Sequence, residues 1–339
     1  MRQWIIPQGN DCLDNLRLVE VPVPQPGPGE VLIRVRACSL NYRDQAIVTG
    51  NYFGGKVGSD QVPLSDGAGE VAALGEGVDD FAVGDRVSSI FFMNWMDGPP
   101  NPGAGPATGA TPAPGLLSEY VVLPAKSVIP MARSLSFAEA ATLPCAGVTA
   151  WHALMEGPHP LQPGESVLVL GTGGVSLLAL QIAKAAGAQV IATSSSATKL
   201  DRVSALGADA TINYREIPAW GQEAAALAGG GIDHVVEVGG AGTLAQSIQA
   251  VGFNGEIALI GVLTREGDTS PHGLMLKGAS IRGIFVGSKA MALRLNDHID
   301  AHTIKPVVDR TFPLEAALEA YRYQASPDLF GKVVITLDD

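Results

Sequence analysis

The chain has 339 residues, 46% of them hydrophobic and 17% charged, with a net charge of −12 at pH 7. That length and apolar fraction suffice for two domains with sizeable cores, and the acidic balance argues against nucleic acid and anionic membranes as partners. No run reaches the ~20 apolar residues of a membrane helix, the first residues lack the apolar core of a secretion signal, and three widely spaced cysteines (Cys12, Cys38, Cys145) suit a reducing cytoplasm better than a disulfide framework.

Residues 1–127 read mostly as β structure. Gly29–Ala37 alternates Val31, Ile33 and Val35 against Leu32, Arg34 and Arg36, as a half-buried strand does. Gly67–Gly75 and Gly84–Ile90 are two more strands bounded by turns. Phe91 continues the second as core, whereas Phe92, Met93 and Trp95, together with Phe53, are candidates for an apolar substrate wall. Asn94–Gly115 is a long Pro/Gly/Ala/Thr loop, expected to be a mobile lid or a lobe.

Residues 128–299 alternate strands and helices, which predicts a doubly wound parallel sheet in an α/β chain. Its most informative segment is Ser166–Lys199. The apolar run Val167–Leu170 is a buried parallel strand. The turn Gly171-Thr-Gly-Gly-Val-Ser176 follows, then a helix over 177–187 and a strand over Gln189–Thr193. This is the context of a dinucleotide fingerprint, with Gly171, Gly173, Gly174 and Val175 approaching a pyrophosphate at the helix N-terminus. Ser176 stands where the last glycine is usual, a position that serves helix–strand packing. An NAD site expects a carboxylate about 20 residues after the first glycine. Here Ser194, Ser195, Ser196 and Lys199 occupy that region, and hydroxyls with a lysine suit a 2′-phosphate, so the expected cofactor is NADP(H).

Further strands are predicted at Ala210–Ile212, His234–Val238, Glu256–Val262 and Ser280–Val286. Residues 300–339 turn β again, with strands over Lys305–Phe312 and Lys332–Leu337 around a helix from Pro313 to Gln324; this tail is expected to rejoin the first domain. His152 falls on a predicted helix and His234 begins a strand, while His272, His298 and His302 have no paired partner in a motif, and none of these reads as a catalyst.

Asn41-Tyr-Arg-Asp44, Pro63–Glu70, Val83-Gly-Asp-Arg-Val87, Ser118-Glu-Tyr120, Ala146–Trp151, the glycine turn, Ala205–Asp209, Ile212-Asn-Tyr214 and Gly331-Lys-Val-Val334 occur in that order. By these marks the chain resembles the medium-chain dehydrogenase/reductase superfamily over essentially its full length, and most closely its zinc-independent, quinone-oxidoreductase-like branch. The resemblance implies a GroES-like β-barrel catalytic domain from residues 1–127 and 300–339, a Rossmann domain over 128–299, an active site in the cleft, and a homodimer. Dimerisation is expected through strand Ile281–Val286, an apolar sheet edge. The resemblance also places Lys199 and Tyr214 at the 2′-phosphate and adenosine, Thr149 beside the nicotinamide, Gly261 and Phe285–Val286–Gly287 at its carboxamide, and Lys332 near the cleft among the cofactor-binding residues.

Zinc-using relatives hold the metal with a cysteine, a histidine and a second cysteine. In this chain Asn41 and Ser65 stand at the first two positions and only Cys145 at the third, so no metal is expected, and Cys145 is read as a small buried hydrophobe. The resemblance puts Asn41, Asp44 and Tyr52 at the reacting centre. Asn41 and Tyr52 can donate to a substrate oxygen and Asp44 can orient a neighbour. Asn41 and Asp44 equally fit the cap of a helix starting near Tyr42. The expected activity is NADPH-dependent hydride transfer to a quinone, an enone or a related carbonyl. The alternatives are a zinc-free alcohol dehydrogenase or ketone reductase, and a non-catalytic NADPH-binding protein.

Overall fold

The computed structural model describes residues 1–261, 263–264, 266–267 and 269–337. The chain divides into two compact units, Met1–Val148 with Gly287–Asp339, and Thr149–Val286.

The first unit is GroES-like and is built on a seven-stranded sheet. Its central strand, Glu30–Ser39, pairs antiparallel with Asp66–Leu74, Tyr120–Pro124 and Lys332–Thr336. Val31, Ile33 and Val35 enter the main core with Val71, Val87, Leu123, Val333 and Ile335. Leu32, expected to face outward, is buried as well. Register shifts at Leu32/Ile33 and Val35/Ala37 break the strict two-residue period there. The C-terminal tail does rejoin this sheet: Lys332–Thr336 lies between Glu30–Ser39 and Val308–Pro313.

Residues 94–115 form a folded lobe. Asn94 N–H donates to Ala104 O (2.9 Å), Thr108 N–H to Phe91 O (2.8 Å) and Gly109 N–H to Pro114 O (2.8 Å). A Cβ on Gly115 would meet Val62 O at 2.0 Å, so the backbones pack too closely for any side chain there.

The second unit carries six parallel strands in the order Ala210–Asn213, Gln189–Ser194, Ser166–Leu170, Ile232–Glu237, Val251–Leu259, Ser280–Gly283. This is the Rossmann order, reversing next to the first strand. Ser166–Leu170 is buried along its whole length, as its apolar run requires. Leu168, Ile191, Ile212, Val235 and Ile257 share one core.

Several boundaries differ from the sequence expectation. The fifth strand starts at Val251 and ends at Leu259; Val262, at the end of the expected run, lies outside the described residues. The edge strand stops at Gly283, and Val286, the expected end, has φ +55°, outside the β region. The late strand begins at Val308, after Pro306, whose missing N–H cannot join a ladder. The helix expected from Pro313 opens as a 3₁₀ turn, Leu314–Ala316, before Ala317–Gln324. The domain boundaries expected at 127/128 and 299/300 also sit elsewhere: residues 128–148 and 287–299 fall within the first unit. Asn296 Nδ2 there donates to Pro130 O (2.9 Å), and Lys289 N–H to Trp95 O (2.8 Å).

Candidate active site

Asn41 is the N-cap of helix Tyr42–Val48, and Asp44, three residues into it, accepts the Asn41 N–H at 2.7 Å. The capping role that the sequence allowed is therefore realised. Continuing the register of Val334 opposite Ser39 by two residues sets Lys332 opposite Asn41. There the buried ammonium donates to Asn41 Oδ1 at 2.6 Å and to Leu40 O. Lys332, expected among the cofactor contacts, thus has its ammonium committed inside the first unit.

Asp66 opens the neighbouring strand and is fully buried. It accepts from Ser65 Oγ (2.6 Å) and from the Cys145 N–H (3.1 Å). Burial raises the Asp66 carboxyl, opposed chiefly by the charge of Lys332. Burial likewise pushes Asp44 up to about 6, with Arg43 acting against it. Burial lowers the Lys332 ammonium while Asp66 pulls it back. Two cations and two reluctant carboxylates thus share one desolvated cluster.

Tyr52 is half-buried beside this cluster, its ring 5.3 Å from the Arg43 guanidinium carbon. Its phenol is held above the ordinary value by burial, with Arg43 opposing. The expected apolar wall is only partly assembled. Phe53 is 77% exposed and packs on Tyr52 at 5.0 Å between centroids. Phe92 and Met93 are half-buried. Trp95 is a correction: it is 2% exposed, with its indole N–H bound to Gly98 O (2.9 Å), and belongs to the core. A surface groove of about 490 Å³ lies elsewhere in this unit, against Phe81, Arg86 and Met131, and holds none of these side chains.

The residues standing at the zinc-ligand positions do not fit a metal. Asn41 Oδ1 is taken by an ammonium, Ser65 Oγ donates to Asp66, and one thiol remains. Among the described residues no three His, Cys, Asp or Glu side chains are grouped to hold a metal ion. Cys145 is partly exposed and not a fully buried hydrophobe, yet desolvation still pushes its thiol up, which makes it a poor thiolate.

In the second unit the glycine turn has the geometry a pyrophosphate needs. Gly171 has φ +71°, and its N–H donates to Thr193 O (2.9 Å). Gly173 is the N-cap of helix Gly174–Ala185 with no side-chain cap, and a Cβ there would meet nothing within 4 Å. The first N–H groups of this 12-residue helix, including those of Gly174 and Val175, therefore have no acceptor from the N-cap side chain. Ser176, at the degraded position, is buried and donates its hydroxyl to Leu170 O (2.7 Å), so serine fits the helix–strand packing.

Ser194 ends the second strand, and its Oγ accepts the Ser196 N–H (3.3 Å). Ser196 caps helix Ala197–Ala205, accepting the Lys199 N–H (3.4 Å). The register Asn213 opposite Ser194 brings Tyr214 alongside, its N–H donating to Ser194 O (3.1 Å). Ser195 thus follows the end of one strand, Lys199 lies in the first turn of the helix after it, and the 41% exposed Tyr214 follows the end of the adjacent strand. Thr149 is buried, and Phe285 is 52% exposed. Gly261 leaves room for backbone alone, since a Cβ would meet Gly240 N at 2.3 Å. Gly287 falls on the first unit's side of the division.

Three side chains that the sequence did not single out shape this region. His152 is buried and its Nδ1 lies 2.6 Å from Val286 O. Arg282 joins Glu256 (2.8 Å) and donates to the carbonyls of His152, Ala153 and Glu156, closing a helix end. Glu237 is fully buried and accepts from Gly239 N–H (2.7 Å), Gly240 N–H (2.9 Å) and Thr243 Oγ1 (2.6 Å). A carboxylate ending an apolar strand just before Gly239-Gly240 was the available signal for the last.

Family profiles agree with this geometry. The alcohol dehydrogenase GroES-like domain matches residues 27–133, and the zinc-binding dehydrogenase profile residues 174–300. A zinc-type alcohol dehydrogenase-like protein of Schizosaccharomyces pombe is 46% identical over 96% of this chain and 96% of its own. The chain belongs to the medium-chain dehydrogenase/reductase superfamily. Within this superfamily, a quinone oxidoreductase of Sus scrofa is 28% identical, covering 94% of this chain and 92% of its own. A solved NAD-dependent alcohol dehydrogenase is 35% identical, with a TM-score of 0.88 and full coverage of both chains. A provisionally assigned alcohol dehydrogenase from Sinorhizobium meliloti 1021 reaches 43% identity and a TM-score of 0.90, covering 99% of this chain and 100% of its own. The protein is thus an oxidoreductase of this superfamily. No helix among its described residues is long and apolar enough to cross a membrane.

Proposed function

We propose that this dehydrogenase/reductase uses NADPH, works without zinc and reduces a quinone, an enone or a related conjugated carbonyl. The carrying observation is the Lys332 ammonium bonded to Asn41 Oδ1 at a metal-ligand position. A cation built from side chains there supports chemistry by hydrogen bonding in place of a Lewis acid.

The Gly171–Val175 turn would hold the pyrophosphate, Ser194–Lys199 with Tyr214 the 2′-phosphate and adenosine, and Thr149, Gly261 and Phe285–Gly287 the nicotinamide. When bound, the cofactor supplies a hydride, two electrons with one proton. For an enone the new C–H bond forms at the β-carbon, the C=C pair shifts to the Cα–carbonyl bond, the C=O π pair moves onto oxygen, and water protonates the resulting enolate. The protein's own contribution is to orient the acceptor and to stabilise charge on that oxygen through Asn41, Tyr52 and the cluster behind them. NADP(H) is favoured over the NAD of the 35% identical relative because Ser194, Ser195 and Ser196 stand where a ribose-binding carboxylate belongs.

A second reading, a zinc-free ketone reductase, is supported by Tyr52: a phenol kept protonated by burial can serve as proton donor. A non-catalytic NADPH-binding protein would share the same second unit. A panel of quinones, enones, aldehydes and ketones, followed by NADPH oxidation with and without a chelator, separates these. Turnover of quinones and enones that survives chelation is the expected result. Loss on chelation overturns zinc independence, and binding without turnover favours the third reading.

We also propose a homodimer formed along the edge strand Ser280–Gly283, where Ile281 is 36% exposed. A light-scattering mass near the 35.0 kDa of one chain would overturn it. The three free cysteines accord with a reducing compartment, the cytoplasm.

A further inference from the structure

Arg43 is 6% exposed, and its guanidinium is only partly satisfied. Nη1 donates to Thr108 O at 3.0 Å and lies 3.8 Å from Asp44. Among the described residues Nε and Nη2 have no hydrogen-bond partner, although both are buried. Nor has the neighbouring Asn41 Nδ2 an acceptor. Leaving charged donors desolvated and unpaired is costly, and native proteins rarely do so without a use. The Tyr52 hydroxyl faces the guanidinium closely enough to perturb both groups but completes no bond to those two nitrogens.

The geometry around the group is directional. Phe91, fully buried, covers the guanidinium at 4.8 Å, and half-buried Tyr52 lies 5.3 Å away. Nε and Nη2 share one edge of the guanidinium plane and point their N–H bonds in parallel, the arrangement that takes both lone pairs of a single oxygen or the two oxygens of one carboxylate. Flanking rings suit a flat, conjugated molecule.

We propose that Arg43 holds the acceptor oxygen of the substrate through Nε and Nη2, and that the substrate is a planar conjugated carbonyl whose oxygen becomes anionic during reduction. The assignment rests on the function proposed above and deepens it. Arg43 forms no covalent bond and moves no proton. It completes its own hydrogen bonding on the oxygen that gains the electron pair, and the bond strengthens as charge develops.

The test is Arg43→Lys, which keeps the positive charge beside Asp44 and removes the parallel donors. Steady-state rates with NADPH are measured on para-benzoquinones of increasing electron affinity. Removing an oxyanion donor costs ~10²–10³-fold in kcat; that loss is expected on the least electron-poor quinone and should shrink along the series, because a weaker base needs less help. NADPH affinity, read by fluorescence titration, should stay within about twofold. An equal loss at every quinone, or a change in KM alone, overturns the proposal, the latter pointing to a remote carboxylate grip. A readout without turnover uses 4-nitrophenolate, a stable aryl oxyanion. Its absorbance shift should titrate on the wild type and weaken at least ~10-fold in the variant, as loss of a charge-assisted bond implies. If the wild type binds it in this way but reduces no quinone or enone, the functional reading fails and the Arg43 assignment stands. If the wild type does not bind it and the quinone losses are flat, Arg43 is structural. Should Arg43→Lys not fold, Arg43→Gln with Asp44→Asn removes the pair together and is put through the same titration and series.

Discussion

The Lys332 ammonium lies 2.6 Å from Oδ1 of Asn41, across 291 residues of sequence. An ammonium only donates, so the contact fixes which way the Asn41 amide faces. The same cation lies in the field of Asp66 and Asp44. Lys332→Met should therefore cost about 3–5 kcal/mol at pH 7, because it strands buried carboxylates. Urea unfolding measures it. The cost should shrink near pH 4, where those carboxylates take up protons. A pH-independent loss below about 1 kcal/mol would show that Lys332 is not their counter-ion.

Asp44 gives a pH dependence of unusual sign. Its folded value, about 6, lies above the ordinary 3.8 because burial outweighs Arg43. Between these values the folded chain holds a proton that the unfolded chain has released. This group's contribution to stability is therefore greatest below pH 3.8 and declines as pH rises to about 6. Asp66 shifts in the same direction. Asp44→Asn removes the dependence. The stability of this variant relative to wild type should rise by up to about 3 kcal/mol from pH 4 to pH 8, a difference read from paired denaturant curves. A flat or falling difference would mean that Asp44 is ionised throughout.

Lys199 follows the cap that Ser196 provides, just after the strand whose last residue, Ser194, accepts from Tyr214. Lys199→Ala should remove one charge-assisted hydrogen bond to the 2′-phosphate, worth ~1.5–3 kcal/mol, and so weaken NADPH binding by ~10–150-fold. NADH binding should hardly change. Calorimetry on both cofactors checks it, and equal wild-type affinity for the two would sink the assignment.

Tyr52→Phe separates the two enzymatic readings. A quinone is reduced to a weakly basic hydroquinone anion that water can protonate, so its kcat should fall by less than about threefold. A simple ketone gives a strongly basic alkoxide, and loss of a general acid should lower its kcat and kcat/KM together by ~10²–10⁴-fold. Rates on one substrate of each kind decide it. A large and equal loss on both contradicts the preferred function.

Local pattern carried much of this protein. The apolar run Val167–Leu170, the glycine turn and the helix behind it announced the Rossmann unit, because a strand buried on both faces and a turn needing φ +71° at Gly171 leave few choices of residue. Asn41 and Asp44 were visible as a cap, whereas the residues at the zinc-ligand positions could be named only through the family resemblance. Other features were decided only by packing. Trp95 sits in the core because the lobe folds over it, which no periodicity in a Pro/Gly-rich stretch encodes. The strand Ser280–Gly283 ends three residues before Val286, whose left-handed backbone has His152 at its carbonyl. The buried cluster of Arg43, Asp44, Asp66 and Lys332 arises from strand register between the two ends of the chain. Sequence determines which residues carry charge; only the fold decides which of those charges lose water together, and desolvation is what shifts their pKa values and leaves the donors of Arg43 waiting for an oxygen.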